Sequence, residues 1–136
     1  FEILEQFECG IMLRGTEVKS LRDKNASIEE AYARIEDDEL WLIGSHIAAY
    51  TFAHALNHEP LRRRKLLIHA REIRKLRPQV ELKGLTLVPL RMYFNERGIA
   101  KVSVALCRGK TLGDKRRTLQ TREHKREMDR ALRRKR

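Results

Sequence analysis

The sequence contains few of the residues from which several common classes of site are built. Its 136 residues include two cysteines, three prolines and one tryptophan. Cys9 and Cys107 form no Cys-x-x-Cys pair, and both lie in apolar segments. We therefore expect buried, reduced thiols rather than a disulfide framework or a zinc-binding motif.

Long apolar runs and catalytic motifs are also missing. No apolar stretch approaches the roughly 18 residues of a transmembrane helix, and no signal-peptide pattern is visible. Reduced thiols favour a cytoplasmic location, which we expect for this protein. The sequence contains no glycine-rich phosphate loop, nucleophile elbow or catalytic dyad. It thus predicts a protein without a cofactor and without catalytic activity.

Positive charge is abundant and unevenly distributed. The net charge is +11, and residues 108–136 hold +9 of it, with 13 Lys/Arg against 4 Asp/Glu. The 107 residues before them carry only +2. We predict one folded domain over residues 1–107 and a basic tail over residues 108–136. A basic tail indicates a polyanionic partner, with RNA or DNA as the first candidate. A membrane surface is disfavoured because the tail has no aromatic residue.

Hydrophobic alternation predicts a mainly β domain. We expect about six short strands, with two hairpins that turn at Asp37-Asp38 and at residues 95–98. The strands are placed at residues 1–4, 7–13, 31–35, 40–43, 85–94 and 100–107, with a further short extended piece at 46–50. Gly10 is read as a bulge or a close approach, and residues 25–27 as a turn. This pattern favours an OB-like small antiparallel barrel.

Helices are expected on the outside of this barrel, two to three in number. Thr16 is a candidate N-cap for a helix over residues 17–22, and a second helical pattern begins at Leu66 and is interrupted by Pro78. Residues 51–64 are read as a long loop. The tail lacks the apolar residues to fold alone, but charge pairs such as Glu127–Arg130 favour a helix. We expect a tail that is disordered in isolation and helical when bound.

Two acidic or histidine-rich segments raise the question of a metal-dependent nuclease. His54 and His58 stand four residues apart beside Glu59, but Asn57 and Pro60 disfavour the helix that such a site needs. The acidic residues 37–39 lie in a hairpin turn, where acids are common for conformational reasons. We therefore predict an exposed loop around His58 and no metal site.

Basic runs within the domain support a nucleic-acid partner. Residues 62–65, the helix after them with Arg71, Arg74, Lys75 and Arg77, and the end of the last strand are all rich in Lys or Arg. With only eight aromatic residues, recognition by shape and backbone is favoured over reading of a single strand. A generic OB-type single-strand binder remains the alternative.

Several stretches form an ordered set of motifs along the chain. They comprise residues 7–10 (FECG), 15–21 (GTEVKSL), 46–50, 64–67 (RKLL), 71–73 (REI), 84–90 (GLTLVPL), 101–102, 109–110 and 114–116 (DKR). Together they resemble the small protein B (SmpB) family, the partner of transfer-messenger RNA in bacterial ribosome rescue. The resemblance implies an OB-like barrel that binds the tRNA-like end of transfer-messenger RNA by shape. It also implies delivery with elongation factor Tu, and a tail that enters the decoding centre and empty mRNA channel of a stalled ribosome. We expect the protein to be a monomer.

The resemblance also assigns site residues. Glu8, Leu67, His69 and Lys101 fall where the family has RNA-binding determinants, with Lys101 as a phosphate contact. Glu8 would orient a nearby cation or accept a hydrogen bond from RNA, while core packing is the alternative role for Leu67. The matching stretches contain three further candidate RNA-binding residues, Lys19, Arg64 and Lys65. The expected decoding-centre segment comprises Arg108, Gly109, Lys110, Asp114, Lys115 and Arg116.

Two positions depart from the family pattern. Ala49 stands where relatives often carry proline, a change from which we expect little effect. Gly113 stands where relatives tend to carry histidine or an aromatic residue. A ring there could stack on a base and glycine cannot, so engagement of the decoding centre must depend more on Lys110, Lys115 and Arg116.

Overall fold

The computed structural model describes residues 2–53 and 56–109 of the chain. Within these ranges it contains eight strands and two helices. In chain order they are β1 (Glu2–Ile11), α1 (Gly15–Arg22), β2 (Ala26–Ser27), β3 (Tyr32–Glu36), β4 (Glu39–Ile43), β5 (His46–Ile47), β6 (Arg64–Leu67), α2 (Ala70–Glu81), β7 (Thr86–Phe94) and β8 (Ala100–Arg108).

Six of the strands form a closed antiparallel barrel in the order β1-β6-β4-β3-β7-β8. The barrel closes because β1 pairs with both β6 and β8. Closure gives each of these six strands a paired neighbour on both sides. The two remaining strands, β2 and β5, form a separate two-stranded sheet. The predicted mainly β, OB-like barrel is confirmed, and the two helices of the described residues fall within the two to three that were expected.

The core fills the barrel from alternate positions of its strands. Val102 and Val104 on β8 are fully buried, as are Leu40 and Leu42 on β4. The side chains between them point outward, since successive residues of a strand face opposite sides of a sheet. The barrel wall therefore offers one apolar lining and one outer surface on which a binding site can lie.

Two hairpins have the predicted turns. Asp37 and Asp38 both adopt left-handed backbone angles, with φ of 51° and 61°, as a two-residue type I′ turn requires. In the second hairpin, the Asn95 side chain accepts hydrogen bonds from the backbone N–H groups of Arg97 and Ile99, each at 2.9 Å. Local turn chemistry thus fixed both pairings.

The first strand differs from the prediction because it is continuous. Residues 2–11 form one strand rather than two, and the register shift lies between Ile3 and Glu5 rather than at Gly10. At Gly10, the Leu67 side chain instead approaches the backbone of β1 closely. A β-carbon there would lie 3.3 Å from the Leu67 Cβ, so glycine leaves room for that side chain.

The prediction was also wrong for the segment before the second helix. Residues 64–67 form strand β6 rather than the end of a loop and the start of a helix. Leu66 pairs with Ile11 on one side and Leu40 on the other, so barrel closure decides its conformation. Helix α2 begins after His69 and continues past Pro78 to Glu81. Pro78 lies in the last turn, where losing one backbone hydrogen bond is tolerated.

Three smaller predictions need correction. The N-cap of α1 is Arg14, and Thr16 lies inside the helix. Ala26 and Ser27 form strand β2 rather than a turn, because they pair with Ile47 and His46. The extended piece predicted over residues 46–50 is limited to His46–Ile47.

The end of the barrel falls close to the predicted domain boundary. Strand β8 ends at Arg108, one residue after that boundary. The predicted conformation of the tail, from residue 110 onward, lies outside the described residues. Neither helix in the described ranges is long and apolar enough to cross a membrane.

Candidate nucleic-acid interface

Four predicted RNA-binding residues meet at one place on the outer surface of the barrel. A pocket of about 380 Å³ is lined by Glu8, Gly10, Leu67, Ile68, His69 and Lys101. We call it the Gly10 pocket. It forms because three neighbouring strands bring these residues together, with Gly10 of β1 opposite Leu67 of β6 and opposite Lys101 of β8.

Leu67 is an exposed apolar side chain in this pocket. It is 46% exposed, whereas the neighbouring Leu66 is 1% exposed and fills the core. Core packing, the alternative role for Leu67, is therefore excluded. The absent side chain at Gly10 lets Leu67 lie close over β1. An exposed leucine beside a lysine suits contact with a ribose or a base face.

Lys101 supplies positive charge at the pocket. It lies on β8 between the buried residues Ala100 and Val102, so its side chain points outward. No ion pair of the described residues includes Lys101. Its ammonium group is therefore available for a phosphate.

Glu8 has an unforeseen partner. The Tyr93 hydroxyl donates a short hydrogen bond to Glu8 Oε2, and this bond raises the pKa of the tyrosine. The Arg91 guanidinium lies 4.3 Å from the centre of the Tyr93 ring. Glu8 thus contacts a tyrosine that in turn lies beside Arg91, and both roles expected for Glu8 stay predictions. Tyr93 pairs with Lys101 across the second hairpin, so the turn at residues 95–98 was a signal that could have revealed it.

Cys9 lies between these site residues and faces the core. Burial raises the pKa of its thiol to about 12, with Glu8 adding to the rise and Lys101 opposing it. The thiol therefore stays protonated at neutral pH and cannot act as a nucleophile. Cys107 is also buried and free, as predicted.

Arg64 does not belong to the surface. It is fully buried, and its Nε donates to Glu17 Oε2 at 2.8 Å. Its Nη1 donates to the carbonyl and hydroxyl oxygens of Ser45, both at 2.9 Å, and its Nη2 to the Pro60 carbonyl at 3.1 Å. This geometry excludes the predicted direct contact between Arg64 and RNA, because the N–H donors of Arg64 are occupied inside the protein.

Glu17 is the centre of this buried network. Burial raises the pKa of its carboxyl, but hydrogen bonds from Arg62 and from the Arg14 backbone, and the charge of Arg64, outweigh burial and lower the pKa to about 2. Arg62 Nη2 lies 2.6 Å from Glu17 Oε1. The network joins α1 to β6 and to the loop that precedes β6.

The run of four basic residues at 62–65 is therefore not a free basic patch. Arg62 and Arg64 share Glu17, as described above. Arg63 pairs with Glu36 at 2.7 Å, and Lys65 pairs with Glu39 at 2.6 Å. The fold thus brings an acid to each member of the run, and of the four residues only Arg64 is fully buried.

Lys19 and Lys65 lie apart from the Gly10 pocket. Lys19 is on α1, with its ammonium 5.5 Å from the centre of the Tyr50 ring. Lys65 follows the outward side of β6, two residues before Leu67. Both side chains reach the surface. The structure thus brings together four of the seven candidate residues of the barrel.

The expected exposed loop around His58 is also corrected. His58 is only 4% exposed, and its Nε2 donates to the Ile47 carbonyl at 2.8 Å. Its Nδ1 accepts from the Thr16 hydroxyl at 2.8 Å. Both ring nitrogens are thus occupied. The parts of the chain that the structure describes contain no metal-ligand cluster, and His54 lies outside them.

The family model "SmpB protein" matches residues 1–134. The chain belongs to the SmpB family. SsrA-binding protein from Chelativorans sp. (strain BNC1) is 52% identical over 132 residues, which are 97% of this chain and 85% of the relative. SsrA-binding protein from Rhodopirellula baltica is 52% identical over 135 residues, which are 99% of this chain and 77% of the relative.

A solved structure supports the SmpB fold. Described as "tmRNA-SmpB: a journey to the center of the bacterial ribosome", it is 54% identical and matches with a TM-score of 0.65. The match covers 81% of this chain and 77% of the other. The SmpB barrel predicted from the motifs is therefore supported by sequence and by structure.

The start of the SmpB tail lies at the end of the barrel. Arg108 ends β8, and its Nη1 lies 2.8 Å from Glu2 Oε1. Gly109 is buried. Lys110, Asp114, Lys115 and Arg116, together with the unusual Gly113, lie outside the described residues.

Proposed function

We propose that this protein binds the tRNA-like domain of transfer-messenger RNA and brings it to stalled ribosomes for rescue by trans-translation. Family membership supports the RNA partner. The observation that carries the proposal is the convergence of Glu8, Leu67, His69 and Lys101 around Gly10. These residues come from β1, β6, β8 and the start of α2, and only the closed barrel joins them.

The chemistry of the Gly10 pocket suits a folded RNA backbone. Lys101 binds a phosphate, and Leu67 packs against a ribose or an unstacked base face. Glu8, held by Tyr93, accepts a hydrogen bond from a 2′-hydroxyl or a base. A carboxylate repels phosphate, so its place beside Lys101 sets the register of the RNA rather than adding affinity.

Helix α2 extends the positive surface. It begins directly after His69, at the edge of the pocket. Arg71, Arg74 and Lys75 are exposed and belong to none of the ion pairs in the described ranges, whereas Arg77 pairs with Asp38 and Glu81. Lys101 and the unpaired cations of α2 thus outnumber Glu8. Binding should weaken steeply with salt as counterions are released.

In this proposal the tail binds a second RNA, the ribosomal RNA of the stalled ribosome. Residues 1–107 form the RNA-binding body, and residues 108–136 enter the decoding centre and empty mRNA channel as a helix. Arg108, Gly109, Lys110, Asp114, Lys115 and Arg116 form the decoding-centre segment. The net charge of +9 over residues 108–136 supports a channel lined by ribosomal RNA. A bound message would exclude the tail, so only a vacant channel admits it.

The remaining parts of the proposal concern its context. The protein acts in the cytoplasm as a monomer, delivered with elongation factor Tu, and it has no catalytic activity of its own. The blocked ring nitrogens of His58 and the protonated Cys9 support a binding role.

A competition gel-shift tests the RNA partner. Folded transfer-messenger RNA should bind more tightly than ordinary tRNA and should resist a poly-U competitor. Equal affinity for all three RNAs would favour the generic single-strand binder. RNA cleavage that EDTA abolishes would overturn the non-catalytic role.

A truncation tests the division of tasks. Removing residues 110–136 keeps β8 and its Arg108–Glu2 pair intact. The truncated protein should retain most of its affinity for transfer-messenger RNA and lose tagging on stalled ribosomes. Equal loss of both activities would contradict the assignment of the tail to the ribosome.

A further inference from the structure

A second pocket lies on the same outer surface of the barrel. Its volume is about 510 Å³, and its lining includes Met12, Arg14, Glu39, Trp41, Arg62 and Lys65. We call it the Trp41 pocket. It adjoins the Gly10 pocket, because Met12 follows Gly10 by two residues and Lys65 precedes Leu67 by two. None of the motifs that predicted the RNA-binding surface includes Trp41.

Trp41 is held outward by the strand that carries it. Its neighbours on β4, Leu40 and Leu42, are both fully buried, so the indole lies on the opposite side. The Arg63 guanidinium lies 4.9 Å from the centre of the indole. Arg63 does not line the pocket, so the pocket reaches the indole from a direction that Arg63 leaves open.

The charge of the pocket favours an anion. Lys65 pairs with Glu39, and Arg62 pairs with the buried Glu17. Arg14 is exposed, and its side chain belongs to no ion pair in the described parts of the chain. An aromatic ring and an uncompensated guanidinium thus face one cavity. This combination binds single nucleotides, because the ring stacks on a base and the cation contacts its phosphate.

We propose that the Trp41 pocket binds one unpaired nucleotide of the RNA that occupies the Gly10 pocket. The base stacks on Trp41, and its phosphate contacts Arg14. The inference rests on the proposed function, since it assumes that an RNA lies on this surface. It adds a stacking contact to a site otherwise built for backbone and shape.

Tryptophan fluorescence tests the proposal directly. Trp41 is the only tryptophan of the chain, so its emission reports this pocket alone. Adding the folded tRNA-like domain to the full-length protein should quench the emission saturably. The bound RNA should also protect Trp41 from acrylamide. An unchanged emission and an unchanged acrylamide response at saturating RNA would overturn the proposal.

Variants give a second measurement. Trp41→Ala should weaken RNA binding about tenfold, which is the effect of losing one stacked base. Trp41→Phe keeps an aromatic ring at this position and should retain most of the wild-type affinity. Tyr32→Ala is the matched control. It removes an aromatic residue that is 45% exposed on β3, outside the pocket, and it should leave the affinity unchanged. Equal losses in Trp41→Ala and Tyr32→Ala would contradict a specific stacking site.

A third variant keeps the test decisive if Trp41→Ala fails to fold. Arg14→Ala removes only an exposed side chain and retains the fluorophore. It should weaken RNA binding and shift the quenching curve to higher RNA concentration. A curve identical to that of the wild type would overturn the phosphate contact. Failure of the proposed function looks different, because the wild type would then form no gel-shifted complex with this RNA.

Discussion

Lys101 and Arg64 are both basic residues on barrel strands, and both were expected to contact RNA, yet their surroundings are opposite. Lys101 points outward beside an exposed leucine, without an ion pair among the described residues. Arg64 is fully buried and donates to Glu17, Ser45 and Pro60. The comparison teaches that a basic residue in a binding motif can act on the ligand or on the fold. Burial and partners, rather than charge, separate the two roles.

The largest expected effect concerns the buried pair. Glu17→Gln leaves the Arg64 guanidinium buried without its counter-charge, which should destabilise the protein by about 3–5 kcal/mol. Urea denaturation measures this loss as a lower midpoint at unchanged slope. Glu39→Gln is the matched control, because it breaks the partly exposed pair with Lys65 and should cost at most about 1 kcal/mol. Similar costs for the two variants would remove the distinction between Arg64 and surface cations.

Acid should reveal the same network. The pKa of Glu17 is lowered from 4.5 to about 2, so the folded state favours its ionised form. Its contribution to stability is complete above pH 4.5 and is lost as the pH falls toward 2. A lowering of this size corresponds to about 3 kcal/mol. Unfolding free energies measured between pH 6 and pH 2 should fall more in the wild type than in Glu17→Gln. Parallel curves would contradict a low pKa for Glu17.

At the Gly10 pocket, Lys101→Ala should affect binding rather than stability. It should weaken the complex with transfer-messenger RNA and lower the slope of log K against log salt by about one. Gel-shifts at several salt concentrations measure both. Lys24→Ala is the control. Lys24 is exposed in the turn after α1 and lines neither the Gly10 pocket nor the Trp41 pocket, so the slope should not change. An unchanged slope in Lys101→Ala would remove the phosphate contact.

The smallest expected effect sharpens the role of Glu8. Tyr93→Phe removes the hydrogen bond to Glu8 and leaves the ring beside Arg91. The affinity for RNA should fall by about 0.5–1.5 kcal/mol, because Glu8 is no longer held in place. In a protein that already carries Glu8→Gln, the further change Tyr93→Phe should reduce the affinity for RNA only slightly. Fully additive losses would show that Tyr93 acts independently of Glu8.

Local sequence patterns predicted most of the strands. The two-residue turn at Asp37-Asp38 and the side-chain bonds of Asn95 fix their hairpins through neighbouring residues alone. The same reasoning failed at Leu66, where an apolar run after a basic one resembles the start of a helix. Pairing with Ile11 and Leu40 overrides that local preference. Strand β6 is thus formed by contacts distant in sequence, which periodicity does not contain.

The candidate site could be predicted only in part, because it too depends on contacts between residues distant in sequence. Motif resemblance located Glu8, Leu67, His69 and Lys101 without showing that they meet. It could not separate Leu67, which is exposed, from Leu66, which fills the core. It also missed Tyr93, whose role depends on its position opposite Lys101 in the hairpin.

The sequence by itself determined the class of partner, the mainly β fold and the contrast between a near-neutral body and a basic tail. These follow from the summed charge of the residues, from the alternation of apolar and polar residues along the strands, and from turn residues that act on their immediate neighbours. Only the tertiary structure decided which cations remain free. The barrel brings Glu17 to Arg64 and Glu39 to Lys65, and it leaves Lys101 beside Leu67 over the bare backbone of Gly10. The sequence determines how many charges the protein carries, but which of them are neutralised depends on residues that only folding brings together.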